Sequence, residues 1–244
     1  MPIESTVGVQ VMARIDRAGW ESLGASVQGR PVAVAGFGPE TSRFHLVVMG
    51  AIHGDEPSSA LAALDLATHL RLHPPQNRCV WILPALNPDG LVCGTKNNAR
   101  DVDLNRNFAA RNFVTAHEPG YDPGPYPLSE PESRLFAAFL SRVNPAGVVA
   151  VHAPFAVVNF DGPALPWAQA VARACGWPAR ADLGYPTPGS FGSFWGRDGG
   201  RPVLTLELPP GDHAGFAPLA SAALRSAVEF SFPNHRGVLP SVIA

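Results

Sequence analysis

The chain has 244 residues, 46% of them hydrophobic and 16% charged, which is enough apolar material for one substantial core in a single domain. Its formal net charge of −2 offers no surplus of positive charge to follow a phosphate backbone, which excludes nucleic acid as a partner. No run approaches the ~20 uninterrupted apolar residues that span a bilayer, and the first residues lack the basic-then-apolar pattern of an export signal, so a soluble, cytoplasmic chain with no membrane partner is expected.

The first apolar, β-branched run, residues 44–49, reads as a buried strand. It leads into Gly50-Ala51-Ile52-His53-Gly54-Asp55-Glu56-Pro57 and then a helical pattern over 58–72. A His and a carboxylate separated by two residues at such a junction can converge on one ion. Two imidazoles and a carboxylate suit zinc and leave a position open for water. The same stretch also suits a helix capped by Asp55 beside a surface His, and a third ligand is needed to decide. A second strand at 79–83 runs into Asn87-Pro88-Asp89-Gly90, a turn signal, followed by Asp103-Leu104-Asn105-Arg106-Asn107-Phe108. Arg106 is there either a structural ion-pair partner or, with Asn105, a fork for a substrate carboxylate.

Ser129-Glu130-Pro131-Glu132 opens a helical pattern over 130–143, with Ser129 or Glu130 as its expected cap. A third strand at 147–151 ends in His152-Ala153-Pro154, and a helix follows at 166–175. After the Gly/Pro-rich stretch from Gly184 to Ser193, a fourth strand at 202–206 ends at Glu207, an acidic side chain that is costly to bury without a partner. A last helix near 216–230 precedes a tail from about 232 that carries no signal. Strands alternating with helices point to an α/β/α sandwich around a largely parallel sheet, with ligands bound beyond the carboxyl ends of the strands. His45, His69, His73, His117, His213 and His235 lack motif context and read as surface or structural. Cys79, Cys93 and Cys175 show no CxxC pairing, which fits a reducing compartment and gives no support to thiolate metal ligation.

Taken in order, HGDE, NPDG and DLNRNF resemble the zinc carboxypeptidases of the carboxypeptidase A family, and most of the chain from about Ser26 to Pro210 follows that pattern. The resemblance implies a zinc carboxypeptidase-like fold with a mixed, largely parallel sheet, and one Zn2+ held by His53, Glu56 and His152. It implies that Glu207 activates the hydrolytic water, that Asn105 and Arg106 hold the terminal carboxylate of a peptide substrate, and that Tyr185 closes over it. Larger members add an arginine ahead of the Asn-Arg pair to polarise the scissile carbonyl. Lys96 and Arg100 are the cations available here, and Arg100 is favoured because it keeps a guanidinium for a developing oxyanion. Within the family, HAPF, GYPTPGSFGS and TLELP are most similar to the bacterial murein peptide amidases. That likeness implies cytoplasmic cleavage of the bond between γ-D-glutamate and meso-diaminopimelate in murein tripeptide during peptidoglycan recycling. Two rivals remain: an N-acyl amino acid deacylase of the desuccinylase or aspartoacylase type, and a peptide-binding relative without turnover. The Tyr185 loop and the paired NPDG and DLNRNF motifs favour the peptidase.

Overall fold

The computed structural model of the chain describes residues 5–16 and 19–232. Its strands are β1 (Glu21–Ala25), β2 (Pro31–Phe37), β3 (His45–Met49), β4 (Cys79–Leu83), β5 (Gly147–His152), β6 (Val157–Asp161), β7 (Ala179–Arg180) and β8 (Val203–Glu207). The helices are α1 (Thr6–Asp16), α2 (Pro57–Leu72), α3 (Pro88–Cys93), α4 (Pro131–Val143), α5 (Leu165–Cys175) and α6 (His213–Glu229). All eight strands join one sheet in the order β1-β2-β4-β3-β5-β8-β6-β7.

The four apolar runs of the sequence become the parallel centre β4-β3-β5-β8, whose strands are buried along almost their whole length. Each has two faces to bury. Leu46, Val48, Val80, Ile82, Val149, Val151, Leu204 and Leu206 pack with α2, α5 and α6, while Val47, Met49, Trp81, Leu83, Val148, Ala150 and Val203 pack on the opposite face with α4, Phe108 and Phe191. Burial on both faces is why these strands read as continuous apolar runs rather than as an alternating pattern.

The flanks are antiparallel, β2 against β4 and β6 against β8, which makes the sheet mixed. None of β1, β2, β6 and β7, nor α1, stood out in the sequence. β1 is largely exposed, and β6 interrupts its apolar residues with Asn159 and Asp161. NPDG is more than a turn. Pro88 opens α3, and the Asn87 side chain caps it by accepting from the Gly90 N–H at 2.9 Å. The expected cap of α4 is also corrected. Glu130 stands at the N-cap but makes no cap bond, because its carboxylate accepts instead from Asn98 Nδ2 at 2.8 Å and from the Ser129 hydroxyl at 3.0 Å.

The strand order switches at the centre of the sheet: from β3 the chain crosses to β4 on one side, and from β4 it crosses back past β3 to β5 on the other. A crevice therefore opens beyond the carboxyl ends of β3 and β5, the usual place for a ligand in a sheet of this kind. His152 shares the parity of Val148 and Ala150, and Glu207 that of Val203, so both emerge on the same face. Of the histidines without a motif, His45 accepts from Trp81 Nε1 at 3.0 Å and His213 pairs with Asp65 at 2.9 Å, both structural uses. His235 and nearly all of the tail lie outside the described residues.

Candidate active site

His53 and Glu56 flank the turn between β3 and α2. That turn passes hard against α3: a Cβ at Gly54 would lie 2.0 Å from the carbonyl carbon of Gly90, so only glycine fits. Ser59 then locks the loop, accepting from the Ala51 N–H at 2.9 Å and donating to the Glu56 carbonyl at 2.6 Å. His53 Nδ1 lies 2.8 Å from Glu56 Oε1, and His152 Nδ1 lies 3.2 Å from Glu56 Oε2. One donor atom from each of the three residues falls within 4.8 Å of the others. Two imidazole nitrogens and a carboxylate oxygen are the donor set of a catalytic zinc site with a coordination position left for water.

Glu207 ends β8 directly beside His152 on β5. It is 4% exposed, and its buried Oε2 has no hydrogen-bond partner among the described residues. An orphaned carboxylate oxygen beside three converging metal donors fits a group whose partner is a reacting water. Burial pushes the Glu207 carboxyl above its usual range, His152 opposes this, and the neighbouring Glu56 adds to it.

Behind the donors stands Asp103, the first residue of the DLNRNF motif. Its side chain is fully buried, with Oδ1 3.1 Å from His53 Nε2 and Oδ2 2.8 Å from Lys96 Nζ. With Nε2–H committed to Asp103, His53 turns the lone pair of Nδ1 toward Glu56 and the metal position. In the metal-free protein, burial alone would lower the His53 pKa, but the Asp103 carboxylate and then Glu56 override it and raise the ring to about 10. Burial would likewise raise Glu56, yet His152 and His53 hold it down to about 2.

Asn105 and Arg106 line the same cleft, which has a volume of about 390 Å³. Asn105 Oδ1 accepts from the Phe191 N–H at 3.0 Å, and Arg106, only 6% exposed, donates to the Asn105 carbonyl at 2.8 Å. Tyr185 lies at the rim, 42% exposed, its ring 6.4 Å from that of Phe155. The structure reverses the order of the two cations. Arg100 sits outside this cleft, over a separate surface depression, with its guanidinium 3.5 Å from Glu130. Asn98 Oδ1 accepts from the Arg100 and Val102 N–H groups, and this tight turn carries the Arg100 side chain away. Lys96 lines the cleft instead, its carbonyl pinned by Gly54 N at 3.2 Å and Asn87 Nδ2 at 3.1 Å. Its ammonium also lies 3.4 Å from the centroid of the Tyr121 ring.

The family model described as zinc carboxypeptidase matches residues 12–173. The chain belongs to the zinc carboxypeptidase family. Murein peptide amidase A of Escherichia coli strain K12 is 35% identical over 205 residues, covering 79% of this chain and 82% of that protein. Murein peptide amidase A of Vibrio campbellii is 33% identical over 221 residues, covering 84% and 86%. The crystal structure of the murein-tripeptide amidase from Escherichia coli O157 matches with a TM-score of 0.71 at 30% identity, covering 86% of this chain and 92% of that one. This carboxypeptidase is thus a hydrolytic enzyme of the zinc-using class, with the α/β architecture the motifs implied.

Beyond Asp103, the site of this zinc carboxypeptidase contains residues that no motif announced. Tyr121 lies against both Lys96 and Arg106, and Asn159, Asp161 and Arg197 line the same cleft. Asp103 could have been found in the sequence, since a metal-ligating His needs an acceptor for its second ring nitrogen and DLNRNF begins with one. The others carry no local signal.

Proposed function

We propose that this zinc carboxypeptidase hydrolyses the amide between γ-D-glutamate and meso-diaminopimelate in murein tripeptide, releasing the diamino acid. The observation that carries the reading is one cleft in which the donors of His53, Glu56 and His152 meet an unpartnered Glu207 oxygen beside Asn105 and Arg106. The names of the amidase relatives support the choice of substrate. His53, Glu56 and His152 would hold the zinc ion, which when bound would supply Lewis acidity to lower the pKa of water and polarise a carbonyl.

Glu207 takes a proton from the attacking water and passes it to the leaving amine, a task suited to a carboxylate whose pKa is raised by burial. Asn105 and Arg106 bind the terminal carboxylate and fix the scissile amide, which removes part of the entropic barrier. Lys96 faces the carbonyl oxygen as negative charge develops there. Asp103 keeps His53 in the ligating tautomer, and Tyr185 closes over the peptide from the rim.

We assign the reaction to the cytoplasm, where murein fragments are recycled. Cys79, Cys93 and Cys175 are free thiols, and no helix among the described residues is long and apolar enough to cross a membrane. The test is zinc-loaded enzyme given L-alanyl-γ-D-glutamyl-meso-diaminopimelate beside an α-linked peptide of similar length, with released amino acid followed by mass spectrometry. Chelator-sensitive release of diaminopimelate from the first supports the reading. Cleavage of the α-linked peptide alone would leave a zinc carboxypeptidase and discard the murein substrate.

A further inference from the structure

We propose that the deep end of the cleft is a receptor for a zwitterion, in which Asp161 and Arg197 select a leaving residue whose side chain ends in both an ammonium and a carboxylate. The inference rests on the substrate reading above and names the residues that choose the leaving group. Asn159 and Asp161 lie two apart on β6 and therefore project from one face, the face that also bears Thr205 and Glu207 on the antiparallel neighbour β8. Asn159 pairs with Thr205 across the two strands, and Asp161 with Val203. From the level of Glu207 to the level of Asp161 is four residues, roughly 13 Å at ~3.3 Å per residue. A short apolar side chain on the leaving residue would stop well above that floor. A long one with a charged end would reach it.

The floor is built around the Asp161 carboxylate. The segment Gly192–Asp198 forms a wide π-type turn, a feature found often at functional sites. It presents Gly192 and Gly196 to Asp161: a Cβ at Gly192 would lie 2.1 Å from Asp161 Oδ2, and one at Gly196 would lie 2.5 Å from the Asp161 Cβ. Any larger residue at either position would displace the carboxylate from the pocket. Asp161 is only 7% exposed, so a charge is kept at the bottom of the cleft where solvation is poor.

Its one side-chain partner among the described residues is Arg197, and the contact is made through Nε, 2.6 Å from Asp161 Oδ1. Using Nε leaves the two terminal nitrogens of the guanidinium without a hydrogen-bond partner among the described residues, and Arg197, which lines the cleft, is half exposed. Five donors in a planar fork, with only one committed, suit a carboxylate. Asp161 Oδ2 and the polar Asn159 and Thr205 beside it suit an ammonium. An anion and a cation held next to each other match an amino acid head group, and diaminopimelate carries one at the far end of its side chain. Lysine offers only the ammonium, and 2-aminopimelate only the carboxylate.

The experiment compares kcat/KM of the zinc-loaded full chain on L-alanyl-γ-D-glutamyl peptides ending in meso-diaminopimelate, L-lysine, L-2-aminopimelate or L-alanine. It uses the wild type, Asp161→Asn, Arg197→Met and Arg197→Lys. The expected wild-type preference is diaminopimelate over lysine and 2-aminopimelate, and these over alanine. Asp161→Asn should cost about 10- to 100-fold on the two peptides with a terminal ammonium and little on 2-aminopimelate, the worth of one charge-assisted hydrogen bond. Arg197→Met should do the reverse, hitting diaminopimelate and 2-aminopimelate but sparing lysine, and Arg197→Lys should restore part of the loss.

Equal losses on all four peptides, or unchanged ratios among them, would overturn the receptor and leave Asp161 and Arg197 as a structural ion pair. Asp161→Asn is isosteric and Arg197 is exposed, and the lysine peptide serves as an internal control for folding of the Arg197 variants. The same four residues are also presented at the end of α-linked peptides. Cleavage of those alone discards the γ-glutamyl substrate, while the order of terminal residues still decides the pocket.

Discussion

The rim and the floor of one cleft are built in different ways. At the rim, His53, Glu56, His152 and Glu207 follow strands of the parallel centre; the three metal donors are held in a network in which Asp103 touches both His53 and Lys96, while Glu207 keeps its orphaned oxygen beside them. At the floor, Asp161 and Arg197 come from an antiparallel flank strand and a wide helical turn, and their one side-chain hydrogen bond among the described residues is with each other. The rim orders its groups before substrate arrives, as a reaction on a metal requires. The floor leaves hydrogen-bonding capacity uncommitted, as a recognition site requires. Chemistry and selection should therefore separate experimentally.

The largest expected effect is at the rim. Glu207→Gln keeps the shape of the side chain and should retain zinc, but kcat should fall by about 10²- to 10⁴-fold on every peptide alike. Near-normal turnover with the metal still bound, checked by metal analysis of the same sample, would remove Glu207 as the base. A fall confined to one leaving residue would blur the division between rim and floor.

Next come the two cations of the neighbouring loop. Lys96→Ala should lower kcat by about 10²-fold, the scale of one oxyanion donor, whereas Arg100→Ala should change kcat/KM less than about twofold because its guanidinium lies over another depression. The opposite ranking would return Arg100 to the site. Because Lys96 also pairs with Asp103, a Lys96→Arg variant should recover most of the loss if charge at the carbonyl is what matters.

The smallest effect concerns the support of the metal. The His53 ring, raised to about 10 chiefly by Asp103 against the effect of burial, holds a proton at neutral pH in the metal-free protein. Zinc must displace that proton, so binding near pH 7 should release it and affinity should weaken as pH falls. Asp103→Asn removes the main cause of the raised value. Calorimetric titrations in two buffers of different ionisation enthalpy should then find fewer protons released, with zinc bound about 10- to 100-fold more weakly. Equal proton release from both proteins would mean that Asp103 does not control the His53 ring.

What was legible in the sequence follows from where the causes lie. His53, Glu56, Asn105 and Arg106 sit in short segments whose spacing alone left structural readings open, and it is HGDE, NPDG and DLNRNF taken in order that carry the resemblance which implies their roles. The strands β3, β4, β5 and β8 were legible because burial on both faces leaves an apolar run. β6 was not, since its cleft-facing Asn159 and Asp161 break the run that would have marked it as a strand. Of the two cations of one loop, the sequence favoured Arg100 for its guanidinium, and nothing local showed which of them faces the cleft. Only the turn closed by Asn98 decides that Arg100 points away while Lys96 is pinned by Gly54 and Asn87.

The sequence by itself determined the fold class, because burial on both faces of the central strands leaves apolar runs, and its ordered motifs carried the resemblance that implies His53, Glu56, His152 and Glu207 as site residues. Tertiary structure alone decided that Asp103 orients His53, that Lys96 rather than Arg100 faces the cleft, and that Asp161 meets Arg197 from 36 residues away under two glycines. Those relations depend on which strand pairs with which and on how a loop turns, and a one-dimensional pattern holds no record of distances that arise only when the sheet closes.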